Sequence, residues 1–149
     1  MSLKETIAVD IKKAMIAKEK DTLRALRAIK SAILIAETDK GASGELSEEQ
    51  EVALLMKAAK QRKDSAEIYE QQNRPDLVEP EVVELKVIES YLPQQLSDSE
   101  LESKLKEIIA QVGASNPSDM GKVMGKASQA FKGQADGKRI SSAVKSLLS

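Results

Sequence analysis

Apolar residues recur at helical spacing from one end of the chain to the other, and no alternating strand pattern rivals them. Leu3, Ile7, Ile11 and Met15 predict one amphipathic helix. Asp21, just before Thr22 and Leu23, is a plausible cap for a second helix reaching about Glu37. Its apolar face would be Leu23, Leu26, Ile29, Ile33 and Leu34. Gly41 and Gly44 then predict a loop over 38–46. Ser47 with Gln50 is a capping-box signal for a third helix running to about Asn73. That helix has one apolar row at Val52, Leu55, Met56 and Ala59, and a second at Leu54, Ala58, Gln61, Ser65 and Ile68. A helix usable on two sides suits the centre of a bundle. Asn73-Arg74-Pro75 reads as its stop.

Val78, Val82, Leu85, Ile88 and Leu92 predict a fourth helix, with Pro80 near its first turn, where proline costs little. Tyr91-Leu92-Pro93 ends it, and 94–96 reads as a short linker. Ser97 with Glu100 is another capping box, followed by Leu101, Leu105, Ile108, Ile109 and Val112, with Gly113 as a stop. Asn116-Pro117-Ser118-Asp119 restarts a helix bearing Met120, Val123, Met124, Ala127 and Phe131. Gly133, Asp136 and Gly137 make a turn, and Ile140, Val144, Leu147 and Leu148 mark the last helix. The expected fold class is all-α: an N-terminal helical bundle over 1–92, then a small three-helix C-terminal domain over 97–149.

Composition narrows the chemistry. The 149 residues include no His, Cys or Trp, and the aromatics are Tyr69, Tyr91 and Phe131. Zinc sites, thiol nucleophiles and His-based triads are therefore excluded. No nucleophile elbow, phosphate loop or Ser-x-x-Lys motif with partners occurs. No catalytic residue, metal ligand or cofactor site is expected. The N-terminus carries charges every few residues, and strictly apolar runs, such as Ala32 to Ala36, are no longer than five residues. No membrane partner and a cytoplasmic location are the expectation.

The net charge of −1 hides an asymmetry. Residues 1–92 hold 15 Lys and Arg against 18 Asp and Glu, a net −3, whereas 93–149 hold 8 against 6, a net +2. Over 120–149, Lys122, Lys126, Lys132, Lys138, Arg139 and Lys145 face only Asp136, a net +5. Lys122 and Lys126 share a helix face. Lys132 and Lys138 flank the Gly133–Gly137 turn, whose backbone N–H groups and following helix N-terminus favour phosphate. On charge alone, plain solvation of a helical surface is the commoner reason for such a face. The lack of aromatics disfavours stacking on single-stranded bases, so any RNA contact would follow the backbone of a folded RNA.

Several short motifs fall in a fixed order. These are Leu23-Arg24-x-Leu26, Ser31-Ala32-Ile33, Lys60-Gln61-Arg62, Arg74-x-Asp76-Leu77, Glu81 and Glu84, and Tyr91-Leu92-Pro93. Asp119-Met120-Gly121-Lys122-Val123-Met124 and Gly133-x-Ala135-Asp136-Gly137 complete the series. By these the chain resembles the GatB/YqeY family, specifically its stand-alone YqeY-like proteins, over essentially its whole length. Pro80 departs from the family pattern, where a lysine or another helix former is usual. The resemblance implies a larger helical domain followed by a three-helix one. It also links the chain to the tail of the B subunit of glutamine-dependent aminoacyl-tRNA amidotransferase, which helps engage tRNA. No counterpart of that subunit's kinase-like cradle is read here, so carbon–nitrogen ligase chemistry is not expected of this chain alone.

The expected function is a non-catalytic accessory protein that binds tRNA or another folded RNA. The resemblance adds amidotransferase or aminoacyl-tRNA synthetase machinery as partners, with a component or modulator of glutamine-dependent tRNA transamidation as one alternative. A protein-interaction module without RNA is another. The nucleic-acid-binding set is Gly121, Lys122, Lys126, Lys132, Gly133, Gly137, Lys138 and Arg139, with Lys60, Gln61, Arg62 and Arg74 as a second polar site. Each motif also has a structural reading: Asp119 as a cap, Gly121 as a place of close backbone approach, Asp136 as a cap after a positive-φ glycine. Lys63 with Glu70, and Lys30 with Glu37, fall on apolar faces, which points to ion pairing. Glu79, Glu81, Glu84 and Glu89 read as a solvated acidic face, not an oxygen cage for a cation.

Overall fold

The computed structural model describes residues 1–39 and 44–149; Gly41 of the expected loop lies outside them. The described residues form seven α-helices and one short 3-10 turn, with no strand among them. The chain is all-α, in two compact units, Met1–Leu92 and Pro93–Ser149.

The first unit holds α1 (Leu3–Ala17), α2 (Lys20–Thr38), α3 (Glu48–Gln71) and α4 (Pro75–Glu89). Helix α4 packs on α2 and α3, and α1 packs on α2. Leu3, Ile7, Leu26, Ile29, Ile33, Leu55, Ala59, Ile88 and Leu92 form its core. Met15 and Leu34, expected on apolar faces, are exposed, while Ala14 and Ala25 are buried. Strict four-residue spacing drifts by about 40° per step on a helix, so a stripe begun at Leu3 has turned away from the core by Met15.

Three Ser-x-x-Glu/Gln capping boxes start helices. Ser47/Gln50 and Ser97/Glu100 stand where expected, and Ser2/Glu5 opens α1. Asp21 is not the cap of α2. That helix begins at Lys20 after Glu19, and Asp21 lies inside its first turn, accepting from Arg24 Nη1 at 3.1 Å. Helix α3 ends two residues early, and Asn73 takes the left-handed conformation (φ +56°) that turns the chain into α4. Pro75 then serves as a first helical residue. Pro80 is therefore inside α4, beyond its first turn, where its missing N–H leaves one carbonyl without a helical donor.

Charged side chains tie three helices together. Glu84 of α4 accepts from Arg24 Nε of α2 at 2.8 Å and from Arg62 Nη1 of α3 at 3.2 Å, and Arg62 also donates to Glu81 at 2.7 Å. Glu37 pairs with Lys4 at 2.9 Å, not with Lys30, which is exposed. Glu70 is also exposed, and the described residues bury no polar or charged residue.

The second unit holds α5 (Asp98–Val112), the 3-10 turn Pro117–Asp119, α6 (Met120–Ala130) and α7 (Gly137–Leu148). Leu101, Leu105, Ile108, Val123, Ala127, Phe131, Ile140, Val144 and Leu148 form its core. Gly113 ends α5 with φ +70°, as expected. Residues 94–96, expected as linker, are built into this unit. Leu96 is buried, and its N–H donates to the Gln134 carbonyl at 2.9 Å. One apolar residue beside glutamines carries no periodicity, so its burial was invisible to spacing.

Tyr91 gives the first unit a pH handle. Its hydroxyl donates to Asp10 Oδ2 at 2.5 Å, and desolvation, then this bond, push the phenol well above its ordinary value. The folded state thus holds the phenolic proton more tightly than the unfolded chain. This stabilisation is complete below the unfolded value near about 10 and is lost as pH rises beyond it. Urea unfolding followed from neutral pH to above about 10 should show stability falling on the alkaline side, and Tyr91→Phe should flatten that fall.

Candidate nucleic-acid interface

Helix α6 buries Val123 and Ala127 four residues apart, which leaves Gly121, Lys122, Gly125 and Lys126 on its outer side. The run Asp119–Lys126 contains the step Met-Gly-Lys twice, at 120–122 and 124–126. A Cβ on Gly121, Gly125 or Gly137 would meet nothing within 4 Å. Among the described residues nothing approaches Gly121 within that distance, so the packing reason for that glycine finds no partner among them. Gly125 was not singled out from the sequence; the Met-Gly-Lys repeat is the signal that marks it.

Lys122 is exposed. Asp119 does not cap α6; its Oδ2 accepts the Ser115 N–H at 3.0 Å. That bond first, and Lys122 more weakly, hold its carboxyl below the usual range. Lys126 Nζ donates to Gln111 Oε1 at 2.8 Å, near the C-terminal end of α5.

The turn after α6 is occupied by the protein's own contacts. Gly133 is buried with φ +81°, a conformation that favours glycine, and its carbonyl accepts Gln95 Nε2 at 2.6 Å. Asp136 Oδ1 accepts the Arg139 N–H at 2.8 Å and caps α7 as expected. A carboxylate already sits at this helix N-terminus, where a phosphate was anticipated, and it repels one. Arg139 Nη2 donates to the Leu96 carbonyl at 2.7 Å and to Asp98 Oδ1 at 2.9 Å. Gly133 and Arg139 are thereby committed to folding the unit, while Lys132, Gly137 and Lys138 lie on its surface.

The cations do not converge. Lys126 meets α5 at Gln111 and Arg139 meets it at Asp98, thirteen residues apart, or about 20 Å of helix. Lys138 lines a groove of about 460 Å³ whose rim also carries Asp98 and Glu102. The surface is a string of single positive charges suited to successive groups along a polyanion, not a pocket for one phosphate.

The second polar site also disperses. Arg62 is turned onto Glu81 and Glu84, and Arg74 forms a two-pronged pair with Asp76 at 3.0 and 2.9 Å. Lys60 and Gln61 remain exposed on α3. Of the acidic residues, Glu81 and Glu84 are taken up by arginines, and no metal-ligating group of three is found among the described residues.

Comparison with known proteins adds a family. The family model described as Yqey-like protein matches residues 4–148. "Altered inheritance of mitochondria protein 41, mitochondrial" from Clavispora lusitaniae is 37% identical over 117 residues, covering 77% of this chain and 67% of the relative. The protein of the same name from Lachancea thermotolerans is 39% identical over 112 residues, covering 73% of this chain and 59% of the relative. The chain thus spans roughly three-fifths to two-thirds of these relatives.

The cytoplasmic expectation is corrected by these relatives, which are named as mitochondrial. It rested on the lack of an apolar N-terminal stretch, and mitochondrial targeting segments are amphipathic and basic, so that criterion does not discriminate. No helix among the described residues is long and apolar enough to cross a membrane.

The two roles of cations in this unit are separable. Arg139→Ala should lower stability to urea by about 1–3 kcal/mol, because it removes a charged donor from the Leu96 carbonyl. Lys138→Ala should stay within about 0.5 kcal/mol of the parent.

Proposed function

The chain belongs to the YqeY-like protein family, and from that premise we propose that it is a non-catalytic accessory protein that binds tRNA. The observation that carries this reading is the outer side of α6. Two Met-Gly-Lys steps set Lys122 and Lys126 beside Gly121 and Gly125, glycines with open space above them. Bare glycine costs helix stability and finds no packing return inside the described chain. An approaching sugar–phosphate backbone gives it one, with the lysines as its counterions.

Lys132, Lys138 and Lys145 extend the positive surface, and no aromatic side chain is needed for a partner recognised by backbone shape. Gly133 and Arg139 are left out of the contact set, since their own unit holds them. We read Met1–Leu92 as an N-terminal helical bundle and the remainder as a three-helix tail domain that carries the RNA contact. The compartment that comes with the named relatives is mitochondrial.

Mobility-shift titration with total tRNA at two salt concentrations tests the reading. With two or three lysines on phosphates, log K should fall with log salt at a slope of about −1.5 to −3. The triple change Lys122→Glu, Lys126→Glu, Lys138→Glu should abolish binding while leaving the helical circular dichroism intact. Absence of binding at low salt, or binding indifferent to the triple change, sinks it.

A further inference from the structure

Helix α3 has a second side that its own unit does not cover. Leu55 and Ala59 point into the core, but Lys57, Lys60, Gln61, Asp64, Glu67 and Ile68 are exposed. Ile68 is 51% exposed, and Ile35 of the neighbouring α2 is 66% exposed. Between α2 and α3 lies an open groove of about 440 Å³, lined by Ala32, Ile35 and Ala36 on one wall and Leu54, Ala58 and Gln61 on the other. Six of its nine lining residues are apolar, four of them alanines, and Lys57 and Asp39 are its charged members, so it can admit a branched side chain beside a charged rim.

The placement of groove and protruding side chain is regular. Leu54, Gln61 and Ile68 stand seven residues apart and so lie nearly in line along the helix. The apolar groove at Leu54 and the exposed Ile68 are therefore each two turns, about 10 Å, from Gln61 in opposite directions. The charges follow the same order. Lys57 and Lys60 precede Gln61, while Asp64 and Glu67 follow it. All four of these charged groups are exposed.

On this exposed side of α3 the charges around Gln61 run basic to acidic, and such a side is complemented by itself when reversed. A two-fold axis at Gln61 brings both features into register at once, because a self-complementary contact repeats every pairing twice. We propose that this face joins two copies of the chain: antiparallel α3 helices meet at Gln61, Ile68 of each copy seats in the α2–α3 groove of the other, and Lys57 of each faces Asp64 of the other. The occupant is a second copy, since no other partner is matched by construction to both the order of charges and the equal spacing of groove and isoleucine. This surface is independent of the basic side of α6, so it stands or falls apart from RNA binding.

Sedimentation equilibrium of the full chain, up to about 1 mM, the weak end of specific association, is the direct test. The parent should show a concentration-dependent monomer–dimer equilibrium. Ile68→Asp should weaken it by more than about tenfold, with helical circular dichroism unchanged because the side chain is exposed. Lys57→Asp and Asp64→Lys should each weaken it, and the two together should restore it, because the pair is rebuilt with its signs exchanged. A monomer at every concentration overturns the proposal. So does a dimer indifferent to Ile68→Asp, or a charge-exchanged double variant no better than the singles. If Ile68→Asp instead releases a different protein while the parent stays monomeric, the groove belongs to that partner and self-pairing is refuted.

Discussion

The second unit depends on how Leu96 is held. Its side chain is buried in the core, its N–H is given to Gln134 and its carbonyl accepts from Arg139. Gln95 adds a bond to Gly133 from the same strap. These contacts fasten the chain entering α5 to the turn between α6 and α7, so three short helices close into one core. The same contacts decide what the basic tail can offer a ligand. An arginine spent on Leu96 and Asp98, and a glycine buried under Gln95, are no longer available to it. What remains is lysine on helix surfaces.

Charge summed along a sequence and charge presented by a surface therefore differ here. The +5 over the last thirty residues is real, but one of its six cations is structural, one is drawn to Gln111, and one shares its groove with two carboxylates. Their spread along α5 favours an extended anion over a compact one. The acidic first unit uses its charge internally to a comparable degree. Glu84 between Arg24 and Arg62 knits α2, α3 and α4 through polar groups at the edge of the core.

The helices were legible because local rules dominate them. Serine with Glu or Gln three residues on starts α3 and α5, glycine stops α5, and apolar spacing names most of both cores. Legibility failed where one residue could serve two roles or where partners were distant. Asp21 looked like a cap and is an arginine partner; Asp119 looked like a cap and reaches back to Ser115. Pro75 reads equally as a stop and as a start, and it is both. Arg139 could be assigned to structure only once a carbonyl 43 residues away was seen beside it. In the candidate site the lysines and glycines were legible as residue types, whereas their separation along α5 was a property of packing alone.

Gly121 and Gly125 have one more consequence. Each forgoes roughly 1 kcal/mol of helix propensity relative to alanine, and both fall in the eleven residues of α6, whose first turn has no side-chain cap. The unit's cohesion is therefore uneven: α5 enters through a capping box and α7 through Asp136, while α6 is joined to them mainly by Val123, Ala127 and Phe131. With two glycines and no cap of its own, α6 keeps its helical shape through what it packs against on α5 and α7 more than through its own backbone preference, so the outer surface it presents is set by the core beneath it.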